Sequence, residues 1–340
     1  MRTEPADLNP SLLRETLARF WGLHDLTLTY RPVGFGSHHW FAEATDGRRW
    51  FVTVDDYHKG RLGFAQDISF DALDRAMRTA AALRGLGLEF VVAPIPDHAG
   101  EVLHRLGDSD YSLALFPFLD GTSAGYGTFA SDADRLDTMR LIGRLHNAAP
   151  SLPKDLPHRS DLTIPRRDEL ADALETLATP WTAGPYADRT RNLLRENHDD
   201  IVQALEHYDQ LVAMIKADPT PWVITHGEPH AGNVLRLMES EKLLLVDWDT
   251  AALAPKERDL WMLLDGSATD WTPYMEITGD VVVSASAIRM YQMWWDLCEI
   301  AEYVSWFQHE HGDSEDAQTG WGGLNESLPI KPEFLLDPWQ

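Results

Sequence analysis

The sequence predicts an α+β chain in two lobes: a small antiparallel-sheet lobe with one helix, then a larger, mostly helical lobe. Three observations carry this. Runs with strand-like alternation fill residues 26–118. Spacing of 3.6 residues dominates from residue 133 onward. The turn pair Asp120-Gly121 lies where one pattern gives way to the other. The expected division is therefore 1–120 and 121–340, and a cleft between two such lobes is the default place for a small molecule.

Asn9 and Pro10 open a first helix whose apolar positions are Leu12, Leu13, Leu17, Phe20 and Trp21. Strands are expected at 26–33, 40–44 and 49–54, with turns at Gly34-Phe35-Gly36 and Asp46-Gly47. Phe70, Leu73, Met77, Ala80, Ala81 and Arg84 keep helical spacing, and Gly85 and Gly87 end that helix. Further strands are expected at 90–95, 101–105 and 111–118. In the second lobe, helices are expected at 133–147, 166–177 and 189–216. A strand at 222–225 and a hairpin from 234–238 and 243–246 follow. Trp-rich helical sequence then runs from 257 to about 311.

The 340 residues carry 29 Lys and Arg against 54 Asp and Glu, a net charge of −25. That balance excludes a general nucleic-acid binder, which needs a basic surface to meet phosphates. Residues 261–340 hold 2 basic and 14 acidic side chains. Clustered carboxylates raise the local concentration of cations, so a cationic partner is one reading and a solubilising acidic surface the other. No apolar run approaches the ~20 residues needed to cross a bilayer. The opening MRTEPADLNP lacks the apolar stretch of a signal peptide, and one cysteine, Cys298, excludes a disulfide framework. A cytoplasmic protein without a membrane partner is expected.

The densest polar cluster is Thr225-His226-Gly227-Glu228-Pro229-His230-Ala231-Gly232-Asn233, followed after one hairpin by Val246-Asp247-Trp248-Asp249. A loop holding an acid and, five residues on, an amide places both at the mouth of that hairpin. The hairpin's far end adds a carboxylate. This is the set needed to orient a hydroxyl and hold Mg²⁺ on a polyphosphate. His226 and His230 also have metal-like spacing, but no HExxH pattern supports zinc. No Ser-His-Asp or Cys-His nucleophile stands out.

This cluster resembles the catalytic loop and metal-binding aspartate of the aminoglycoside phosphotransferase family, which has the bilobal protein-kinase-like fold. The stretch from Asp247 through Asp259-Leu260 is most similar to its spectinomycin-kinase branch. The resemblance implies ATP and Mg²⁺ as cofactors and a small, cationic hydroxyl acceptor such as an aminoglycoside or aminocyclitol. Asp247 and Asn233 would be metal ligands, and Glu228 would orient the acceptor. His226 would brace the loop, and Asp259 would anchor it. Gly34, Gly36 and Ser37 would close over the phosphates. Phe116 and Phe118, in the 116–119 hinge, would meet the adenine.

The chain departs from the family pattern twice. Glu228 stands where the family has Asp, which keeps the carboxylate but lengthens it. Thr53 stands where the family has a phosphate-binding Lys, and a hydroxyl cannot supply that charge. Asp74, at the usual position of the lysine's partner, would then be left without it. Substitute cations to consider are Lys59, Arg49, Arg75, Arg78, His38 and His39. A nucleotide-binding pseudokinase and a metabolic small-molecule kinase of the same fold are the competing readings. The Trp-rich segment, with Asp296, Glu299 and Glu302 at helical spacing, is core by composition. It would also suit an amino-sugar.

Overall fold

The computed structural model describes residues 1–34, 36–57, 69–154, 156–266, 269–279 and 281–336. Helix α1 (Pro10–Trp21) begins as its sequence dictates: the Asn9 side chain accepts from the Ser11 N–H, and Gly22 closes the helix at φ 66°. Strands β1 (Thr27–Arg31), β2 (His38–Glu43) and β3 (Arg49–Asp56) form a meander. Helix α2 (Phe70–Gly85) is capped by Ser69, and β4 (His104–Arg105) and β5 (Tyr111–Pro117) complete a five-stranded antiparallel sheet in the order β1-β2-β3-β5-β4.

Strand alternation explains how both faces of this sheet are covered. Leu113 and Leu115 of β5 pack with Trp40, Val52, Val54 and the α1 residues Leu13 and Leu17. Ala114 and Phe116 face the other way, into a core with Leu73, Met77, Ala80 and Leu83 of α2. Hence β5 reads as a continuous apolar run. The strand expected at 90–95 does not form. Pro94 and Pro96 remove two ladder donors, and the segment instead ties to two partners: Val92 N–H to Leu245 O (3.0 Å) and Ile95 N–H to Leu115 O (2.6 Å).

After the sheet come β6 (Gly121–Thr122) and α3 (Asp132–His146). The chain continues through β7 (His158–Arg159), α4 (Arg167–Glu175), α5 (Ala187–Glu196), α6 (His198–Ala217), β8 (Val223–Thr225), β9 (Val234–Leu237), β10 (Leu243–Leu245) and β11 (Ala252–Ala254). Helices α7 (Glu257–Leu260), α8 (Thr272–Thr278), α9 (Ala285–Gln308) and α10 (Glu315–Ser327) finish it. The helix expected over 189–216 divides at Asn197, whose Nδ2 donates to the Leu193 carbonyl. The run expected from 257 to 311 is α7, α8 and α9, separated at Gly279 (φ 80°) among other breaks.

Helix α9 is the axis of this lobe and packs against α4, α5, α6, α7 and α10. Two small sheets hold the polar loop: β10-β9-β6, and β7-β11-β8. The α2 core continues without interruption into Met139, Ile142 and Leu145 of α3 and Leu244, Leu245 and Trp248 beside the hairpin, so the lobes share one apolar seam. A second tie is polar. The Arg2 and Thr3 N–H groups donate to the Asp316 carboxylate of α10 (2.9 and 3.3 Å), while Tyr30 of β1 donates to the Met1 and Thr3 carbonyls (2.9 Å each).

Candidate active site

The loop after β8 is held from beneath. Asp259, wholly buried, accepts from the backbone N–H groups of His226 (2.9 Å) and Gly227 (2.7 Å), and its Oδ2 meets His146 Nε2 at 3.0 Å. Burial alone would raise this carboxyl; the His146 hydrogen bond and the neighbouring donors outweigh it and hold it below the usual range. His226 fixes the next step. Its Nδ1 accepts from the Glu228 N–H (3.2 Å), so the Nε2 that meets the Val246 carbonyl (2.9 Å) carries the proton. Burial keeps this imidazole neutral, down to about 4. Gly227 has φ 104°, and a Cβ there would lie 2.4 Å from Thr250 Oγ1 and 2.6 Å from the Arg258 guanidinium, so no other residue fits. Arg258 in turn donates from Nη1 to Thr225 Oγ1 and the Thr250 carbonyl, both at 2.9 Å.

This scaffold brings Glu228, Asn233 and Asp247 together. Asn233 Nδ2 donates to the Glu228 carbonyl (3.0 Å), leaving its Oδ1 as the side chain's oxygen donor for a ligand. Asp247 sits at φ 69°, a backbone position L-residues rarely adopt, and it shares a hydrogen bond with Asp249. The Asp249 charge, then burial, then Glu228 and Asp55 push Asp247 well above an ordinary carboxylate. Burial raises Asp249 as well, and burial followed by the Asp249 charge raises Glu228 to about 8. The charges of Asp55, Glu228, Asp247 and Asp249 thus act on one another, an arrangement that favours protons or cations, although Asp247 itself is exposed to solvent. Among the described residues, no three His, Cys, Asp or Glu side chains are grouped to hold an ion unaided.

On the opposite wall, Gly34 and Gly36 both take positive φ (71° and 99°), and Ser37 Oγ donates to Asp55 Oδ1 at 2.8 Å. Phe116 pairs in register with Phe51, and Phe118 lies edge-on to Phe41 with the Arg49 guanidinium 3.7 Å over its ring. Thr53 meets His39 Nδ1 at 3.3 Å. Asp74 is not left without a partner, as its sequence position suggested. Arg78, four residues on along the same helix, donates to it at 2.8 Å and also pairs with Glu101. Arg78 is therefore committed, Arg49 stacks on Phe118, and burial holds His39 down to about 3, hence neutral. His38 meets Tyr30 on the α1 side of the sheet. Arg75 is exposed. Lys59 lies outside the described residues.

The face of the loop that looks toward α9 is aromatic and acidic. Tyr126 stacks on Trp295 (5.8 Å, 16°) and meets His230 edge-on at 4.8 Å, and Trp261 adjoins Trp295. His230 Nε2 is 3.9 Å from Glu228 Oε2. The three acids of α9 do not act as one face. Lys331 pairs with Asp296 (2.7 Å) and Arg166 with Glu302 (2.8 Å), whereas Glu299 bonds Tyr303 and is raised by burial to about 7.

Sequence reasoning missed Asp55, Arg258 and Tyr126 as parts of this region. Asp55 was legible from strand alternation, because it shares a face with Thr53 two residues earlier. Arg258 adjoins Asp259 and carried the same signal. Tyr126 carried none, since only tertiary packing sets it on Trp295.

The sequence matches the family described as "Phosphotransferase enzyme family" over residues 27–281. It is 27% identical over 266 residues to protein StrN of Streptomyces griseus, covering 75% of this chain and 76% of that one. In fold it is similar to a spectinomycin phosphotransferase solved with ADP and spectinomycin (17% identity, TM-score 0.70, 97% of each chain). It is also similar to a microcompartment-associated aminopropanol kinase (13% identity, TM-score 0.60, 94% of this chain and 95% of that one). No described helix is long and apolar enough to cross a membrane. The anchored loop, the carboxylates beside it and the two-lobe architecture thus accompany a family match across most of the chain, which belongs to the aminoglycoside-type phosphotransferase enzymes with a kinase-like fold.

Proposed function

We propose that this phosphotransferase moves the γ-phosphoryl group of ATP to a hydroxyl of a small cationic molecule of the aminocyclitol or aminoglycoside type. The observation that carries the reading is the junction of Glu228, Asn233 and Asp247 on a loop locked by Asp259. Adenine would lie at the hinge. Among the described residues, the backbone groups of Phe118 and Leu119 make no hydrogen bond, so they are open to a base edge. Gly34 and Gly36 let the hairpin approach the phosphates.

The residues present fit Mg²⁺. Their donors are hard oxygens, and a site built from Asn233 Oδ1 and Asp247 alone suits an ion that completes its shell with phosphates and water. Bound there, it would neutralise charge on the phosphates. Glu228 then orients the acceptor hydroxyl and accepts its proton. A base raised to about 8 by burial is well matched to that task near neutral pH. Pro229 and the His226 bond fix its backbone, and His230 borders its carboxylate. Tyr126 and Trp295 offer ring faces, and Glu299 a carboxyl, to an ammonium-bearing ring. The support for a cationic acceptor is this wall together with the net charge of −25.

Incubation with ATP, Mg²⁺ and a library of aminocyclitols, aminoglycosides and amino alcohols, read by mass gain of one phosphoryl group, tests the proposal. Gain on a cationic acceptor that disappears in Asp247→Asn is the expected result. Nucleotide binding without transfer to any acceptor would favour the pseudokinase alternative.

A further inference from the structure

Glu228 and Asp247 lie on different segments, with the β9–β10 hairpin between them. Transfer needs both in one geometry, because the acceptor oxygen must approach the phosphorus in line at about 3–3.5 Å. The stretches that carry them lie side by side: Thr250 Oγ1 donates to the His226 carbonyl, and His226 Nε2 to the Val246 carbonyl, both at 2.9 Å. A third tie comes from outside both stretches. Arg258 of α7 donates from one nitrogen, Nη1, to Thr225 Oγ1 and to the Thr250 carbonyl, each at 2.9 Å. Its guanidinium also lies against Gly227, where a Cβ would come within 2.6 Å of Nη1 and of Nη2. It thus touches the neighbours in sequence of Glu228 on one side and of Asp249 on the other.

Stability does not account for this arginine. It is 7% exposed, yet among the described residues its hydrogen bonds go to a hydroxyl and a carbonyl and to no carboxylate. A buried cation without an ion pair is less favourable than an apolar side chain of similar volume. The loop does not need it for its own shape either, since Asp259 already holds the His226 and Gly227 N–H groups. What Arg258 adds is the link from loop to turn, and residues that break a local rule without a gain in stability are expected at functional sites. We propose that Arg258 is a positioning residue for the transfer: its guanidinium fixes the turn of Asp247 against the loop of Glu228, and so sets the distance between the metal-held phosphate and the acceptor hydroxyl. The inference rests on the roles proposed above for Glu228 and Asp247. Each segment binds its own ligand without the link, so losing Arg258 lowers kcat and leaves the separate affinities nearly unchanged. Because both hydrogen bonds leave one nitrogen, a lysine ammonium, one atom shorter, remakes part of the tie.

The test compares wild type, Arg258→Met and Arg258→Lys, with thermal melts to report folding. Affinity for ADP with Mg²⁺ is read by isothermal titration calorimetry. The rates, and the acceptor's KM, are measured with the library compound that wild type phosphorylates fastest. Arg258→Met is expected to lose ~10² in kcat while the ADP affinity and the acceptor's KM stay within about 3-fold of wild type. Arg258→Lys is expected to regain roughly 10-fold of that loss. A kcat within about 3-fold of wild type in Arg258→Met, affinities that fall in step with kcat, or no recovery in Arg258→Lys overturns the inference and leaves the transfer reaction standing. If Arg258→Met does not fold, Thr225→Val carries the test by removing one of the two acceptors. It is expected to lose about 10-fold in kcat with affinities kept, and an unchanged kcat overturns the inference. Wild type that binds ADP but phosphorylates no library compound overturns the proposed reaction and this inference with it.

Discussion

The Asp259 carboxylate and the His146 ring meet at 3.0 Å with both side chains essentially out of solvent, and the Tyr274 hydroxyl lies 2.7 Å from the ring's other nitrogen. With Nε2 donating to Asp259, Nδ1 accepts from Tyr274, so a chain of three side chains from α8, α3 and α7 fixes the backbone of residues 226 and 227. Asp259→Ala leaves two buried N–H groups and the His146 Nε2–H unpaired. Its expected cost is about 3 kcal/mol or more by thermal or denaturant unfolding. The displaced Glu228 should lower kcat by ~10² in the folded fraction. Wild-type turnover in this variant would show that the anchor does not position the loop.

Glu228 should reveal itself in the pH profile. Burial raises its carboxyl to about 8, and the ionised form is the one that accepts a proton. The rate of transfer should therefore climb with pH through a limb well above the ordinary carboxylate range. Bound cations would shift that limb downward. Glu228→Gln is expected to lose ~10²–10⁴ in kcat and the limb with it. Glu228→Asp should restore part of the rate.

Asp55 makes a separate prediction about stability in metal-free buffer. Its carboxyl is raised to about 7 in the folded chain, against an ordinary value of ~3.9, so ionisation is disfavoured by folding. The resulting loss of stability grows from about pH 4 to about pH 7 and is complete above it. Asp55→Asn should thus stabilise the protein by a few kcal/mol at pH 8 and hardly at all at pH 4. Melting curves at the two pH values decide it.

The tie between residues 1–3 and α10 depends on one carboxylate. Asp316→Ala removes both acceptor oxygens facing the Arg2 and Thr3 N–H groups. A loss of about 1–2 kcal/mol is expected. Amide exchange at Arg2 and Thr3 should accelerate while that of α9 stays slow. Equal acceleration in both would mean a global effect.

Tyr126 is 60% exposed although it stacks on Trp295, so its ring is available to a ligand. Tyr126→Ala should raise the acceptor's KM by roughly 5–10-fold, the worth of about 1 kcal/mol of ring contact, and leave the nucleotide's KM unchanged.

Local chemistry was enough for much of this protein. Asn9-Pro10 and Ser69 start helices because a side-chain oxygen meets free N–H groups, and the β2–β3 register follows from strand alternation around Asp46-Gly47. The loop from Thr225 to Asn233 and the Asp247 that follows were readable because an acid, an amide and a second acid sit at hairpin spacing. Only long-range packing decided the rest. The 90–95 run looks like a strand, but its prolines and the neighbouring hairpin claim its backbone otherwise. Asp74 looked orphaned until Arg78 was seen one helical turn away with Glu101 beyond it. Asp55 lies nearly 200 positions before Asp249 in the chain, and the charge of one raises the carboxyl of the other only once the chain is folded. Neither burial nor cross-lobe distance is a property of any window of sequence; both arise when the lobes close on their shared core.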